Sequence, residues 1–100
     1  MNRSYYFVID GIDGSGKTTQ LGKVANYLTE RGVSFISTKE PGGTEIGNIL
    51  RDILISKKYD LEPETELLLY SADRIEHQKK MVIPNLDKGI TVLSDRFISS

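Results

Sequence analysis

Residues 5–18 read YYFVIDGIDGSGKT, an apolar segment that leads directly into a loop of glycines. The part from Tyr5 to Asp10 is aromatic and β-branched before its closing aspartate, which predicts a buried strand. Residues 11–18 match the spacing GxxxxGK[ST] in full, directly after this strand and at the start of a helical pattern, and that context supports the motif. The segment therefore predicts a strand, a phosphate-binding loop and a helix in immediate succession.

The chemistry of this loop follows from its backbone. The N–H groups of a glycine-rich turn converge on phosphate oxygens, and the following helix adds about half a positive charge at its first turn. Lys17 is expected to reach the terminal phosphates of a nucleotide, and Thr18 to ligate Mg²⁺. The structural alternative is a glycine turn that only caps a helix. The residues predicted to bind the nucleotide are Gly11, Ile12, Asp13, Gly14, Ser15, Gly16, Lys17 and Thr18.

Hydrophobic periodicity organises the rest of the chain as helices that alternate with short strands. The predicted elements are a helix from Lys17 to Gly32, a strand over 33–38, a loop over 39–43, a helix over 46–54, a long helix from Leu61 toward Met81 that Pro84 kinks or restarts, and a strand over 90–95. Strands that alternate with helices imply parallel pairing, with ligands bound at the carboxyl ends of the strands.

Composition excludes several classes of protein. The chain of 100 residues is 38% hydrophobic and 27% charged, contains no cysteine and has a net charge of −1, which is typical of a globular domain rather than a disordered or disulfide-bonded one. No basic excess indicates a nucleic-acid partner, and the apolar run 5–9 is far shorter than the roughly 20 residues of a membrane span. We expect a cytoplasmic protein with small-molecule partners, no nucleic acid and no membrane.

Four segments carry a resemblance to a known family: FVIDGIDGSGKTTQ at 7–20, KEPGGTEIG at 39–47, LLLYSADR at 67–74 and SDRF at 94–97. In identity, order and spacing they resemble the thymidylate (dTMP) kinase family. The resemblance implies an α/β, P-loop NTPase-type three-layer fold with a parallel sheet, of which this chain holds the first three strands and their helices. It also implies transfer of the γ-phosphoryl group of ATP to dTMP with Mg²⁺, giving dTDP and ADP, in the synthesis of pyrimidine deoxynucleotides.

The resemblance assigns an acceptor site to residues spread along the chain. It implies that Asp13 binds the 3′-hydroxyl of the deoxyribose, that Arg51 grips the dTMP phosphate, and that Glu40 lines the site without a more definite role. Tyr70 and Arg74 lie four residues apart and share a helix face. By the resemblance Tyr70 stacks on thymine, where phenylalanine is frequent in the family, and Arg74 contacts the base or the phosphate region.

Each of these residues also has a structural alternative. A short carboxylate such as Asp13 commonly forms turns, and Arg51 could be a solvated helix arginine in an exposed ion pair. Tyr70 and Arg74 could be a core aromatic residue beside a surface arginine. We expect His77 to be a solvated helix residue.

Asp95 and Arg96 follow at the carboxyl end of the third predicted strand, where phosphate and metal chemistry is expected. Asp95 is expected to support Mg²⁺ together with Thr18, and Arg96 to neutralise phosphate charge between acceptor and donor; Asp95 could instead cap a following helix. With Lys17, these two residues form the predicted catalytic set. Phosphoryl transfer requires no general base, and none is predicted.

Gly14 occupies a position where some family members carry an arginine, so the resemblance implies a catalytic arginine supplied by a lid beyond Ser100. We therefore expect residues 1–100 to be the amino-terminal part of a single nucleoside-monophosphate kinase domain, homodimeric at full length. Its first strand would become a sheet edge, so the isolated chain is expected to be poorly folded and inactive.

Two other functions stay open at this stage. One is a different nucleoside-monophosphate or deoxynucleoside kinase, and the other is a noncatalytic nucleotide-binding module. Reading the coding frame downstream of Ser100 separates the second from an enzyme, because a kinase would continue into an arginine-rich lid.

Overall fold

The computed structural model describes residues 3–11 and 16–97. In chain order the elements are β1 Tyr6–Gly11, α1 Lys17–Glu30, β2 Phe35–Glu40, α2 Glu45–Ile55, α3 Pro63–His77, a π-helical turn Gln78–Val82, α4 Ile83–Asp87 and β3 Thr91–Phe97. The predicted order of strands and helices is confirmed. None of the helices within the described ranges is long and apolar enough to cross a membrane.

The three strands form one parallel sheet in the order β1-β3-β2. The central strand β3 is buried along its first half, where Val92 and Leu93 belong to the core. The first strand lies at an edge of this sheet, as the resemblance implied, and none of its residues is fully buried, so the predicted burial of this strand is wrong. Because all strands run in the same direction, their carboxyl ends meet at one edge: Arg96 of β3 stands opposite Asp10 of β1 and Glu40 of β2.

Helix α2 starts with a side-chain cap. Thr44 is its N-cap residue, and the Thr44 hydroxyl accepts a hydrogen bond from the Gly47 N–H at 2.9 Å. This bond satisfies one of the N–H groups that a helix leaves without a partner in its first turn. The cap therefore sets where the helix begins after the glycine-rich loop 41–43.

The long predicted helix is divided before Pro84. Its first part, α3, begins with Pro63 in the first turn and ends at His77. In the π-helical turn the Ile83 N–H donates to the Gln78 carbonyl, five residues back, so the backbone is wider there than in an α-helix. A proline ring clashes with the carbonyl four residues before it in a regular helix, and the wider turn precedes Pro84. The sequence predicted a kink or a restart at Pro84, and the structure instead continues the helix through the π-helical turn just before it.

Candidate active site

The parallel register gathers charged side chains at the carboxyl edge of the sheet. Asp95 and Arg96 follow one another on β3, and Glu40 ends β2 directly beside Arg96. Arg96 lies 3.5 Å from Asp10 through its Nε and 3.5 Å from Glu40 through Nη2. Lys17, at the start of α1, completes the group. This edge is the location that the strand order predicted for the site.

Lys17 is buried and contacts both β1 and β3. Its side chain is 6% exposed, and Nζ lies 2.7 Å from Asp95 Oδ1. The same ammonium group donates to the Gly11 carbonyl at 3.2 Å and lies 5.9 Å from the centroid of the Phe97 ring. The loop's last residue, Gly16, has a φ of 85°, a left-handed conformation that favours glycine. The ammonium group is therefore held between the end of β1 and a carboxylate on β3.

Part of the predicted phosphate loop cannot be compared with the structure. Ile12, Asp13, Gly14 and Ser15 lie outside the described residues. The predicted contact of Asp13 with a deoxyribose hydroxyl and the consequence drawn from Gly14 therefore stay predictions.

A cavity of about 320 Å³ opens beside this edge, between the end of β2, α3 and the end of β3. Its lining residues are Glu40, Pro41, Leu67, Tyr70, Ser71, Arg74, Arg96 and Phe97. Four of the predicted acceptor-site residues thus share one cavity. Burial, followed by the nearby Glu66 charge, raises the pKa of Tyr70, so its hydroxyl remains protonated at neutral pH.

Glu40 is the charged centre of this cavity wall. Its side chain is 5% exposed, and Oε1 accepts a hydrogen bond from Arg74 Nε at 2.8 Å. Oε2 lies 3.5 Å from Arg96 Nη2 and 3.6 Å from His77 Nδ1. Burial alone raises the pKa of Glu40, but the nearby His77 ring, the hydrogen bond from Arg74 and the charge of Arg96 outweigh it and lower the pKa to about 2. Glu40 is therefore ionised at neutral pH.

The prediction for His77 was wrong. The side chain is completely buried rather than solvated, and Nε2 lies 2.9 Å from the Thr38 hydroxyl on β2. The reason is that α3 packs this face against the end of β2, so a polar residue there needs partners inside the protein. Thr38 supplies a hydrogen-bond partner for Nε2, and Glu40 Oε2 lies 3.6 Å from Nδ1.

Asp73 is a structural residue that the sequence reasoning missed. It is fully buried, and Oδ1 accepts a hydrogen bond from the Gly42 N–H at 2.8 Å. Burial is the main cause that raises the pKa of Asp73, partly offset by this hydrogen bond. The available signal was its spacing of four from His77, beside the pair Tyr70 and Arg74 on the neighbouring face. Asp73 connects α3 to the glycine loop that ends the cavity wall.

The structure does not bring Arg51 into the lining of the cavity. Its Nη1 donates to the Pro41 carbonyl at 2.8 Å, so the guanidinium reaches the same loop from α2. Pro41 itself lines the cavity. The phosphate contact that the resemblance implied for Arg51 stays a prediction.

The residues proposed for Mg²⁺ do not form a protein-only metal site. Within residues 3–11 and 16–97, no cluster of three or more histidine, aspartate or glutamate side chains could hold a metal ion. Thr18 is exposed in the first turn of α1, and Asp95 offers a carboxylate at the end of β3. Oxygen atoms of this kind suit Mg²⁺, which usually combines one or two protein ligands with waters and substrate phosphates. The donor set fits a nucleotide-bound magnesium ion.

A family model described as thymidylate kinase matches residues 9–100. The chain belongs to the thymidylate kinase family. Among its relatives, the thymidylate kinase of Carboxydothermus hydrogenoformans is 48% identical over 98 residues, which cover 98% of this chain and 48% of that protein. The thymidylate kinase of Caldicellulosiruptor saccharolyticus is 47% identical over 95 residues, covering 95% and 46%. The chain therefore spans about half the length of these relatives.

A solved structure shows the same family and the same fold. The crystal structure of thymidylate kinase from Ehrlichia chaffeensis matches with a TM-score of 0.79 and 40% sequence identity, over 95% of this chain and 55% of that one. The predicted P-loop NTPase-type α/β fold is thereby confirmed, as is the family resemblance noted in the sequence.

Proposed function

We propose that this chain supplies the acceptor-binding and phosphate-binding residues of an enzyme that phosphorylates dTMP to dTDP with ATP and Mg²⁺, a step of dTTP synthesis. The observation that carries the proposal is the meeting of Tyr70, Arg74 and Arg96 around one cavity beside Lys17, in a chain of the thymidylate kinase family. The residues come from three elements that are distant in sequence. Their convergence at the carboxyl edge of a parallel sheet fits a nucleotide site.

The cavity is suited to a nucleoside monophosphate. Its volume of about 320 Å³ lies in the range of small-ligand sites, and Tyr70 and Phe97 give it aromatic walls. Tyr70 would stack on the thymine ring, and the two arginines would contact the base edge and the phosphate. Glu40 between them leaves the cavity with a net positive charge, which favours an anionic acceptor.

On the donor side, Lys17 would exchange its ion pair with Asp95 for the terminal phosphates of ATP. Thr18 and Asp95 would hold Mg²⁺, which neutralises phosphate charge when bound. Arg96 lies on β3 next to Asp95 and would stabilise charge on the phosphoryl group as it passes to the acceptor. Catalysis then consists of positioning and electrostatic stabilisation, without a general base.

The proposal includes roles and partners that rest on the family alone. Asp13 would bind the acceptor deoxyribose, and Arg51 would reach the dTMP phosphate through the loop that it already contacts. The full-length protein would act in the cytoplasm as a homodimer, without a nucleic-acid partner. Exposed apolar side chains on α2 and α3, among them Ile46, Ile49 and Leu68, support a protein contact on these helices.

An acceptor panel tests the proposed function. ADP release would be measured with ATP, Mg²⁺ and each of dTMP, dUMP, dCMP and dGMP, first with the purified chain. Because the chain spans 48% of the Carboxydothermus hydrogenoformans enzyme, the same assay would be run on a chimaera that joins this chain to the remaining part of that enzyme. We expect the chimaera to prefer dTMP. A preference for another monophosphate would contradict the proposal and favour a different nucleotide kinase.

A further inference from the structure

Glu40 has contacts that go beyond lining the acceptor cavity. One carboxylate oxygen accepts from Arg74 Nε at 2.8 Å, and the other faces Arg96 Nη2 at 3.5 Å. The two arginines come from α3 and β3, and both line the cavity. A single carboxylate therefore connects the two guanidinium groups that face the acceptor.

Arg74 is the group that benefits most from such a connection. Its side chain is 55% exposed, so without the carboxylate a long, rotatable side chain would stand mostly in water. Ordering a side chain of this kind on binding costs conformational entropy. Bonding through Nε orients the planar guanidinium, because its donors have a fixed fork geometry.

Glu40 also lies beside a buried histidine on α3. Its carboxylate is buried, and Oε2 lies 3.6 Å from the Nδ1 of the buried His77. The Nε2 of the same ring pairs with the Thr38 hydroxyl at 2.9 Å, which orients the imidazole. The carboxylate thus belongs to a packed polar cluster on β2 and α3.

We propose that Glu40 is a positioning residue that holds Arg74 and Arg96 in the orientation that receives the monophosphate acceptor. This inference rests on the proposed function, because it assigns Glu40 a role at that same acceptor site. Glu40 acts through the two arginines and is not itself a catalytic residue.

Two explanations of the role of Glu40, its charge and its positioning of the arginines, predict opposite changes in dTMP binding when Glu40 loses its charge. Glu40→Gln removes a negative charge beside two arginines, so charge alone predicts tighter binding of the dTMP dianion. Positioning predicts weaker binding, since the amide no longer holds both guanidinium groups. A misplacement of about 1 Å in a binding group can reduce turnover by up to about a hundredfold.

The experiment measures kcat and the separate KM values for dTMP and ATP of Glu40→Gln in the chimaera. We expect kcat/KM for dTMP to fall by about ten- to a hundredfold while the KM for ATP stays within about twofold. Glu40→Asp keeps the charge and should recover part of the loss. The matched control is Glu30→Gln, the same chemical change at an exposed residue at the end of α1, and it should leave both KM values unchanged.

A double variant separates positioning from a general loss of structure. If Glu40 acts through Arg74, the loss in Glu40→Gln/Arg74→Gln is smaller than the product of the two single losses. If Glu40→Gln does not fold, the Glu40→Asp variant provides the test. In that variant we expect the KM for dTMP to rise while the KM for ATP does not. Unchanged or tighter dTMP binding, or a parallel rise of both KM values, would overturn the inference. So would a double variant whose loss in kcat/KM equals the product of the losses of the two single variants. An unsubstituted chimaera that does not phosphorylate dTMP would contradict the proposed function instead.

Discussion

The predicted phosphate-loop region and the proposed acceptor cavity lie at the same edge of the sheet and are built in different ways. The first uses consecutive residues at the end of β1 and the start of α1, and Lys17 also forms an ion pair with Asp95 of β3. The second joins β2, α3 and β3 through a buried polar cluster centred on Glu40. A local motif supplies Lys17 in the first region, although Asp95 of β3 contacts it, whereas all of the second region depends on how distant elements pack. A substitution in the first region should therefore change mainly the function of that region, whereas a substitution in the second region should also affect the elements that pack around it.

The largest expected effect comes from removing the ammonium group of the phosphate loop. Lys17→Met should lower the kcat of the chimaera by about a hundred- to a thousandfold, because a preorganised cation facing the phosphates is lost. Acceptor binding should change little, since Lys17 does not line the cavity. Steady-state kinetics with dTMP and ATP varied in turn measure this. Lys23→Met, an exposed change on the same helix, is the control. A rise of the dTMP KM in Lys17→Met by the same factor as the fall in kcat would show that the two regions are coupled.

The acceptor region should also respond to acid. The pKa of Glu40 is lowered from 4.5 to about 2, so its ionisation stabilises the folded state above the unfolded pKa. That stabilisation, on the order of 3 kcal/mol, should disappear as the pH falls from about 5 to about 2. The raised pKa of Asp73 acts in the opposite direction.

For that reason the informative quantity is the difference in the free energy of unfolding between the unsubstituted chimaera and its Glu40→Gln variant, measured by urea unfolding at several pH values. The difference should shrink toward low pH. A difference that does not depend on pH would indicate that the Glu40 carboxylate makes no favourable charge interaction in the folded protein.

A smaller effect is expected where the glycine loop meets the polar cluster. Gly43 has a φ of 82°, and a Cβ there would meet the Thr38 hydroxyl and lie 3.0 Å from His77 Cδ2. Gly43→Ala should lower the free energy of unfolding by about 2–3 kcal/mol through backbone strain and crowding. Gly22→Ala on α1 is the control, because a Cβ there meets nothing within 4 Å. It should raise stability by about 0.5–1 kcal/mol. Equal values for the two variants would contradict the packing described for the loop.

The smallest expected change concerns the start of α2. Thr44→Ala removes the hydroxyl that accepts from the Gly47 N–H and should cost about 1 kcal/mol of unfolding free energy. Thr29→Ala removes an exposed hydroxyl inside α1 and should cost nothing, since alanine is the better helix former. Thermal denaturation of both variants measures the contrast. A cost at Thr29 equal to that at Thr44 would argue against the cap.

Local sequence patterns predicted more of the fold than of the contacts between side chains in the site. The strand before the glycines and the order of the elements each depend on residues close together in sequence. The spacing of Tyr70 and Arg74 placed them on one helix face, and both line the cavity. The burial of His77 and Asp73 was not predicted, because spacing within a helix does not say which face meets the sheet.

By itself the sequence determined the α/β class and the family, and it predicted the phosphate-binding loop, since these rest on backbone preferences and contiguous motifs. Only the tertiary structure decided that Glu40 joins Arg74 and Arg96, that His77 is buried behind it, and that Arg51 contacts the loop at Pro41 rather than the cavity. The physical reason is that a buried ion needs partners from several elements. Which partners are available depends on the packing of α3 and β3 against the end of β2.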